Sequence, residues 1–234
     1  MNQYVADAMM NIAQNSIAWD KVRLGKFTGS GISALMTDPR TKADKEAGKW
    51  SQTAEKYIIG KAMEVITGQS NDEAYGRAID WGNEWEEIAL GHVQRAINSP
   101  VERTELKPSF KLFNDYTGCS PDAMMYHSNL GIDVGVEVKC PFNSVNHFMH
   151  SKVVDAQSLY DINEDYYWQV QLNMLTFNRT HWVFASFDPR MPEHRMLHHA
   201  VIEFESDRMT ELLERIERAD ALRREIVTKW NSLQ

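Results

Sequence analysis

The residues best suited to chemistry lie in two neighbouring stretches. Ser120-Pro121-Asp122 is followed, after 14 intervening residues, by Glu137-Val138-Lys139-Cys140-Pro141. On a strand alternate side chains share a face, so Glu137 and Lys139 point one way while Val136 and Val138 point the other. The valines form the natural core face, which leaves a carboxylate and an ammonium side by side opposite it. Asn129 and Gly131 supply turn residues within the interval, so a hairpin folds Asp122 back beside Glu137. Two carboxylates and a lysine suit phosphodiester hydrolysis. Hard carboxylate oxygens hold Mg2+, the ion acidifies a water and offsets charge on phosphate, and the lysine orients or deprotonates that water. Short matches of this kind also arise by chance, and an exposed strand with a Glu–Lys pair is the competing reading.

Two further segments bear on the choice. Glu86 lies in an acidic helical stretch that could approach the same metal, with a solvated helix face as the alternative, favoured for Glu84 and Glu87. Gln169 and Gln171 lie in a segment too apolar for a freely solvated helix, so each needs a partner, at a site or as a satisfied core amide. His147 and His150, and the group His194, His198 and His199, read as surface or interface histidines rather than a zinc site, because the carboxylate set favours Mg2+ or Mn2+. Cys119 and Cys140 read as small packed residues without a redox role.

These side chains must be positioned by a scaffold that the periodicity outlines. It predicts a short helix over 3–13, a hydroxyl-capped helix start at Thr28–Ile32, a helix over 51–67 closed by Gly68, and helix over 72–97. A strand is expected over 106–113 and a turn from Asp115. Hairpin strands follow over 123–127 and 132–139, around a turn at 128–131. Mainly helix is expected over 154–178, with strands over 182–187 and 201–204. Ser206 caps a final helix whose stripe runs from Met209 to Trp230 and reads as core or subunit contact. Strands in the middle with helices on both sides give an α/β (mixed α+β) class, a central mixed sheet flanked by helices, as a single domain over 1–234.

The 234 residues are 43% apolar and 25% charged, with net charge −8. This excludes disordered, collagen-like and low-complexity chains. Net acidity argues against a generic nucleic-acid coat but not against a local basic patch. Residues 20–56 carry eight basic and five acidic side chains, either a salt-paired helical face or an anion-binding wall. Two cysteines exclude a disulfide-dense scaffold and a four-cysteine metal site. No apolar run approaches the ~18 residues of a membrane span. No basic residue precedes Lys21, so no secretory leader is expected, and a cytoplasmic protein with reduced thiols is.

The Asp…Glu-x-Lys pattern is the core of the PD-(D/E)xK nuclease superfamily, and further motifs occur with it in order. They are Trp19-Asp-Lys-Val-Arg23-Leu-Gly, Thr28-Gly-Ser30, Asp38-Pro-Arg40, Trp81-Gly-Asn-Glu-Trp-Glu86, Cys119-Ser-Pro-Asp122, Glu137-Val-Lys139-Cys-Pro-Phe142, Gln169-Val-Gln171 and Phe187-Asp-Pro-Arg190-Met. Through them the chain resembles the lambda exonuclease or YqaJ-type family of viral recombination nucleases. The resemblance implies a restriction-endonuclease-like core and a Mg2+-dependent, processive 5′→3′ exonuclease, with Mn2+ as a substitute ion. Such an enzyme degrades one strand of linear double-stranded DNA to mononucleotides. It implies a homotrimeric ring and a single-strand annealing protein as partner on the 3′ overhang, in a phage or prophage setting. Carried over, Asp122 and Glu137 match metal-binding acids, Lys139 the catalytic lysine, Glu86 the helical acid near the metals, and Gln169 the glutamine beside water or lysine. Arg23, Ser30 and Ser120 match a 5′-phosphate pocket, which hydroxyls and one Arg suit physically. Arg40 matches a residue reaching into the DNA groove, Ile79 an apolar wedge, and Thr28 a further DNA contact. The chain departs from the family in a longer Asp122–Glu137 hairpin, whose tip is expected to meet DNA or a neighbouring subunit differently, and in Gly29, which replaces an alanine. The alternatives are a PD-(D/E)xK endonuclease of restriction or structure-specific type, and a catalytically idle DNA-end-binding subunit.

Overall fold

The computed structural model describes residues 12, 14, 16–71 and 76–232. Its centre is the expected hairpin. Strands β5 (Ala123–His127) and β6 (Ile132–Lys139) pair antiparallel, with Ala123 opposite Val136. Gly131 turns the chain between them at φ +70°, a left-handed conformation that glycine adopts without steric cost. The hairpin is the middle of a five-stranded mixed sheet in the order β2-β5-β6-β7-β8. Here β2 is Glu105–Leu106, β7 is His181–Phe187 and β8 is Leu197–Glu203, with β7 parallel to β6. A separate three-stranded sheet, β1-β4-β3, joins β1 (Phe27–Thr28), β3 (Lys111–Asn114) and β4 (Thr117–Cys119).

Both faces of the large sheet are covered, which decides where its polar residues go. Val134, Val136 and Val138 of β6 pack with Val183, Ala185 and Phe187 of β7 against Ala89, Leu90 and Val93. Those three come from the helix Arg77–Ala96. The opposite face meets the helix Glu164–Phe177. On that face the fully buried Trp182 ring lies over Gly135, so closely that an added Cβ would stand 2.0–2.3 Å from three ring carbons. Glu137 and Lys139 share this face and sit under the same helix rather than in open solvent.

In chain order the helices are α1 (Ile17–Arg23), α2 (Ser33–Met36), α3 (Lys42–Glu46), α4 (Gln52–Thr67) and α5 (Arg77–Ala96). They continue with α6 (Ser144–His150), α7 (Ala156–Ile162), α8 (Glu164–Phe177) and α9 (Ser206–Ser232). The end of α4 at Gly68 matches expectation, and Ser51, expected as its first residue, is instead its cap. The α9 stripe is largely core: Met209, Leu212, Ile216 and Ala219 are buried, whereas Trp230 is exposed. Helix α9 also reaches the N-terminal segment. Arg223 donates to the Gly25 carbonyl at 2.9 Å, while Glu64 of α4 accepts from the Gly25 amide at 2.8 Å. Arg223 is itself fixed by the buried Asp220 at 2.6 Å.

The structure corrects several expectations. The single strand expected over 106–113 is two strands in different sheets, because Lys107 turns at φ 49° and Pro108 lacks the amide that a ladder needs. The helix expected over 154–178 is broken at Asn163, whose side chain caps α8 through the Tyr166 amide. The last strand begins at Leu197, not Val201. Helix α6 was not anticipated. The short helix expected over 3–13 lies, Ile12 apart, outside the described residues, as do the first residues of the region 72–97. The tip of the extended hairpin bonds back to its own chain, Ser128 donating to the Ile97 carbonyl at 3.1 Å and the Asn98 carbonyl at 2.5 Å.

Candidate active site

Local ladder geometry builds the centre of the site. One residue before β5, Asp122 donates its amide to the Val136 carbonyl at 3.2 Å, and its Oδ2 accepts from the Val138 amide at 2.7 Å. The side chain thus replaces a strand acceptor and is fixed beside Glu137. Glu137 is 1% exposed, and so buried a carboxylate needs partners. Its Oε1 accepts from Lys139 Nζ at 2.5 Å and Gln169 Nε2 at 2.7 Å, and its Oε2 accepts from Asn173 Nδ2 at 3.2 Å. Lys139 Nζ also donates to Gln169 Oε1 at 3.2 Å and lies 4.6 Å from the Tyr166 ring centroid. Burial, reinforced by the Glu137 charge and opposed by Lys139, holds the Asp122 carboxyl well above the usual carboxylate range. For Lys139, burial lowers the pKa but the Glu137 and Asp122 charges outweigh it, and the net shift is upward. The lysine is an ammonium here, suited to orienting a water rather than deprotonating it.

The sequence reading marked Asp122, Glu137, Lys139 and Gln169 but not Asn173 or Tyr166. Residues 166, 169 and 173 fall at i, i+3 and i+7, one stripe of α8, and that spacing was the available signal. Gln171, on the far side of α8, is a core amide: it donates to the Glu203 carbonyl at 2.9 Å and accepts from the Glu205 amide at 3.0 Å.

A cavity of about 230 Å³ joins this centre to the N-terminal segment, and Arg23, Thr28, Ser30, Ser120, Asp122, Glu137, Lys139 and Gln169 all line it. Trp19 organises its far end. The indole N–H donates to Ser120 Oγ at 3.1 Å, and the Arg23 guanidinium lies 3.8 Å from the indole ring centroid. One helical turn of α1 therefore places both Arg23 and Ser120, a role for Trp19 absent from the sequence expectations. Ser30 Oγ lies 3.4 Å from Thr28 Oγ1, and the Thr28 amide donates to Tyr57 at 3.1 Å. Gly29 fits between: an added Cβ would meet Asn173 Oδ1 at 3.0 Å and Cys119 Cβ at 3.1 Å.

A second cavity, about 490 Å³, lies on the other side of Lys139, and Glu86, Ile79, Phe142 and Tyr166 line it. Glu86 pairs with Lys107 at 3.2 Å and faces this neighbouring space. Arg40 lines neither cavity; it stands exposed on the bend before α3. The expected basic wall is partly self-neutralised, with Lys45 paired to Asp38, Lys49 to Asp44 and Lys42 to Glu46. His147 and His150 are buried, not on the surface. Both contact Ser186 Oγ, at 2.9 and 3.1 Å, and His147 Nε2 donates to the Arg195 carbonyl at 2.9 Å. Burial, helped by the charges of His147 and Lys139, lowers the His150 pKa to about 4. Cys119 and Cys140 are free thiols whose pKa values burial pushes up to about 12.

Among the described residues no three His, Cys, Asp or Glu side chains gather into a ready-made metal cage. Mg2+ does not require one, since it is commonly held by one or two carboxylates with waters and substrate phosphate. Asp122 and Glu137 fit that donor set. Glu137 Oε2, with one hydrogen-bond partner, retains acceptor capacity.

A mixed sheet flanked by helices, with an Asp just before one strand and a Glu-x-Lys on the strand paired to it, is the PD-(D/E)xK arrangement. The chain belongs to the YqaJ-like viral recombinase domain family, whose profile matches residues 18–181. The fold is similar to that of an alkaline exonuclease, LHK-Exo, from Laribacter hongkongensis. The TM-score is 0.73 at 19% identity, over 92% of this chain and 96% of that one. The same exonuclease in complex with dAMP gives 0.72 at 20% identity, over 94% and 100%. A phage related exonuclease from Haemophilus somnus 129PT gives 0.70 at 17% identity, over 88% and 96%. Comparison with curated proteins gives no match. Among the described residues no helix is long and apolar enough to cross a membrane.

Proposed function

We propose that the chain is a DNA exonuclease that removes mononucleotides from the 5′ end of one strand of a linear duplex. The observation that carries this reading is the position of Lys139, held by Glu137 and Gln169 beside Asp122, in the wall of a cavity whose far end presents Arg23, Ser30 and Ser120. Family membership and the similarity in fold to exonucleases support it. In each turnover a water oxygen bonds to phosphorus, the P–O3′ bond breaks, and the 3′ oxygen takes a proton. The phosphate stays on the next nucleotide, so every cut regenerates a 5′-phosphorylated end. A pocket for that group would draw the shortened strand forward, which is the basis for proposing processive action.

The proposed cofactor is Mg2+, with Mn2+ as a substitute, held by Asp122 and Glu137 with Glu86 at the neighbouring cavity. When bound, such an ion acidifies the attacking water and offsets charge on the phosphate. Lys139 orients the water through its fixed ammonium, and Gln169 locks the lysine and Glu137 into one geometry. A homotrimeric ring around the duplex and a single-strand annealing protein on the exposed 3′ overhang complete the proposal. The test is digestion of linear and covalently closed circular duplex with and without Mg2+, one 5′-phosphate labelled. Loss of the linear form alone, with label released as mononucleotide, is the expected result. Cleavage of the circle would replace this reading with an endonuclease, and no cleavage of either would leave a DNA-end-binding subunit.

A further inference from the structure

The cavity on the Glu86 side of Lys139 has an aromatic rim that the hydrolytic centre does not use. Phe142 lines it and is 47% exposed, so its ring is open to a planar partner. The ring is braced from behind. Trp81 meets it edge-on, with centroids 5.9 Å apart at 81°. The Arg190 guanidinium lies 4.6 Å from the Trp81 ring centroid. Arg190 is in turn clamped by the fully buried Asp188, with Nε to Oδ1 and Nη2 to Oδ2 both at 2.8 Å, and it donates to the Pro141 carbonyl at 3.3 Å. A stack so supported holds Phe142 in one orientation. The same cavity is lined by the carboxamides of Asn83 and Asn146, exposed residues whose side chains make no hydrogen bond among the described residues.

A braced aromatic face with unused amides lining the same cavity suits a flat heteroaromatic ring with hydrogen-bonding edges. Its volume of about 490 Å³ lies in the range of small-molecule sites. The two cavities share Lys139, so a strand whose 5′-phosphate sits near Arg23 continues past the lysine into this one. We propose that the second cavity is a base subsite: Phe142 stacks on the unpaired base of the nucleotide beyond the scissile phosphate, and Asn83 and Asn146 hydrogen-bond its edge. Amides that both donate and accept make this a subsite with weak sequence preference. The inference rests on the nuclease reading of the centre.

The test places the fluorescent base 2-aminopurine at the second nucleotide of a 5′-phosphorylated duplex, bound in EDTA to the full chain. Binding to the wild type and to Phe142→Trp should change the emission, binding to Phe142→Ala should not, and affinity should fall about tenfold. An abasic second nucleotide should slow Mg2+-dependent digestion by the wild type about as much, and leave the alanine variant's already slow rate unaltered. An emission change in Phe142→Ala equal to the wild type's, or an abasic penalty equal in both proteins, would overturn the subsite. An emission change that depends on Phe142 without any Mg2+-dependent digestion would refute the nuclease reading while upholding base stacking.

Discussion

In the metal-free protein, Asp122→Asn should raise stability while removing activity. The native carboxyl has its pKa pushed up by burial and by Glu137. An acid whose folded pKa exceeds its unfolded one stabilises the fold only when protonated. Stability is therefore highest below the ordinary value of about 4 and declines as pH rises through the elevated folded value. Asparagine carries no charge and keeps an oxygen to accept the Val138 amide bond of 2.7 Å. At pH 8 in EDTA the variant should be more stable by about 0.5–2 kcal/mol, the usual size of gain when a strained functional group is removed. The gap should close near pH 3, where both proteins are neutral at this position. The assay is denaturant unfolding across pH. Mg2+ should then stabilise the wild type by mass action and the variant less. A variant less stable than the wild type at pH 8 in EDTA, or a gap that persists at pH 3, would refute the reasoning.

Lys139→Ala should abolish cleavage and largely retain duplex binding in a mobility-shift assay; a variant that still cuts would remove the lysine from the mechanism. Trp19→Phe keeps a ring for Arg23 but drops the bond to Ser120, a loss of about 1 kcal/mol. The preference for 5′-phosphorylated over 5′-hydroxyl ends should shrink about fivefold. Gly135→Ala should destabilise by about 3 kcal/mol, the upper end of overpacking costs, read as a fall in denaturation midpoint, because the added Cβ collides with the buried Trp182 ring.

The hairpin was legible because its determinants are local. Alternating valines, a glycine turn and Asp122 at the strand start fix the register that sets Asp122, Glu137 and Lys139 together. Helix α6 was not read because it is short and inverted in character: its apolar residues Val145, Phe148 and Met149 recur at helical spacing but lie exposed, whereas the residues it buries are His147 and His150. The break at Lys107–Pro108 is a local conformational choice inside a run that alternates like a strand. Gln169, Arg23, Ser30 and Ser120 were assigned through resemblance, and their convergence is a product of packing between elements far apart in sequence. Trp19, Tyr166 and Asn173 belong to the same class: each is an ordinary helical residue until its neighbours across the site are known.

The grip on Gly25 has a consequence for biosynthesis. Its carbonyl is held by Arg223, 198 residues later in the chain, and the segment so anchored carries Arg23 on one side and Thr28 and Ser30 on the other. During translation the Arg23 end of the cavity stays without this anchor until helix α9 leaves the ribosome and docks. The hairpin of Asp122, Glu137 and Lys139, complete by residue 139, is synthesised long before. Nascent chains thus carry the acids and the lysine before the Arg23 end of the cavity is anchored, and that anchor arrives only once Arg223 has been added and α9 has docked.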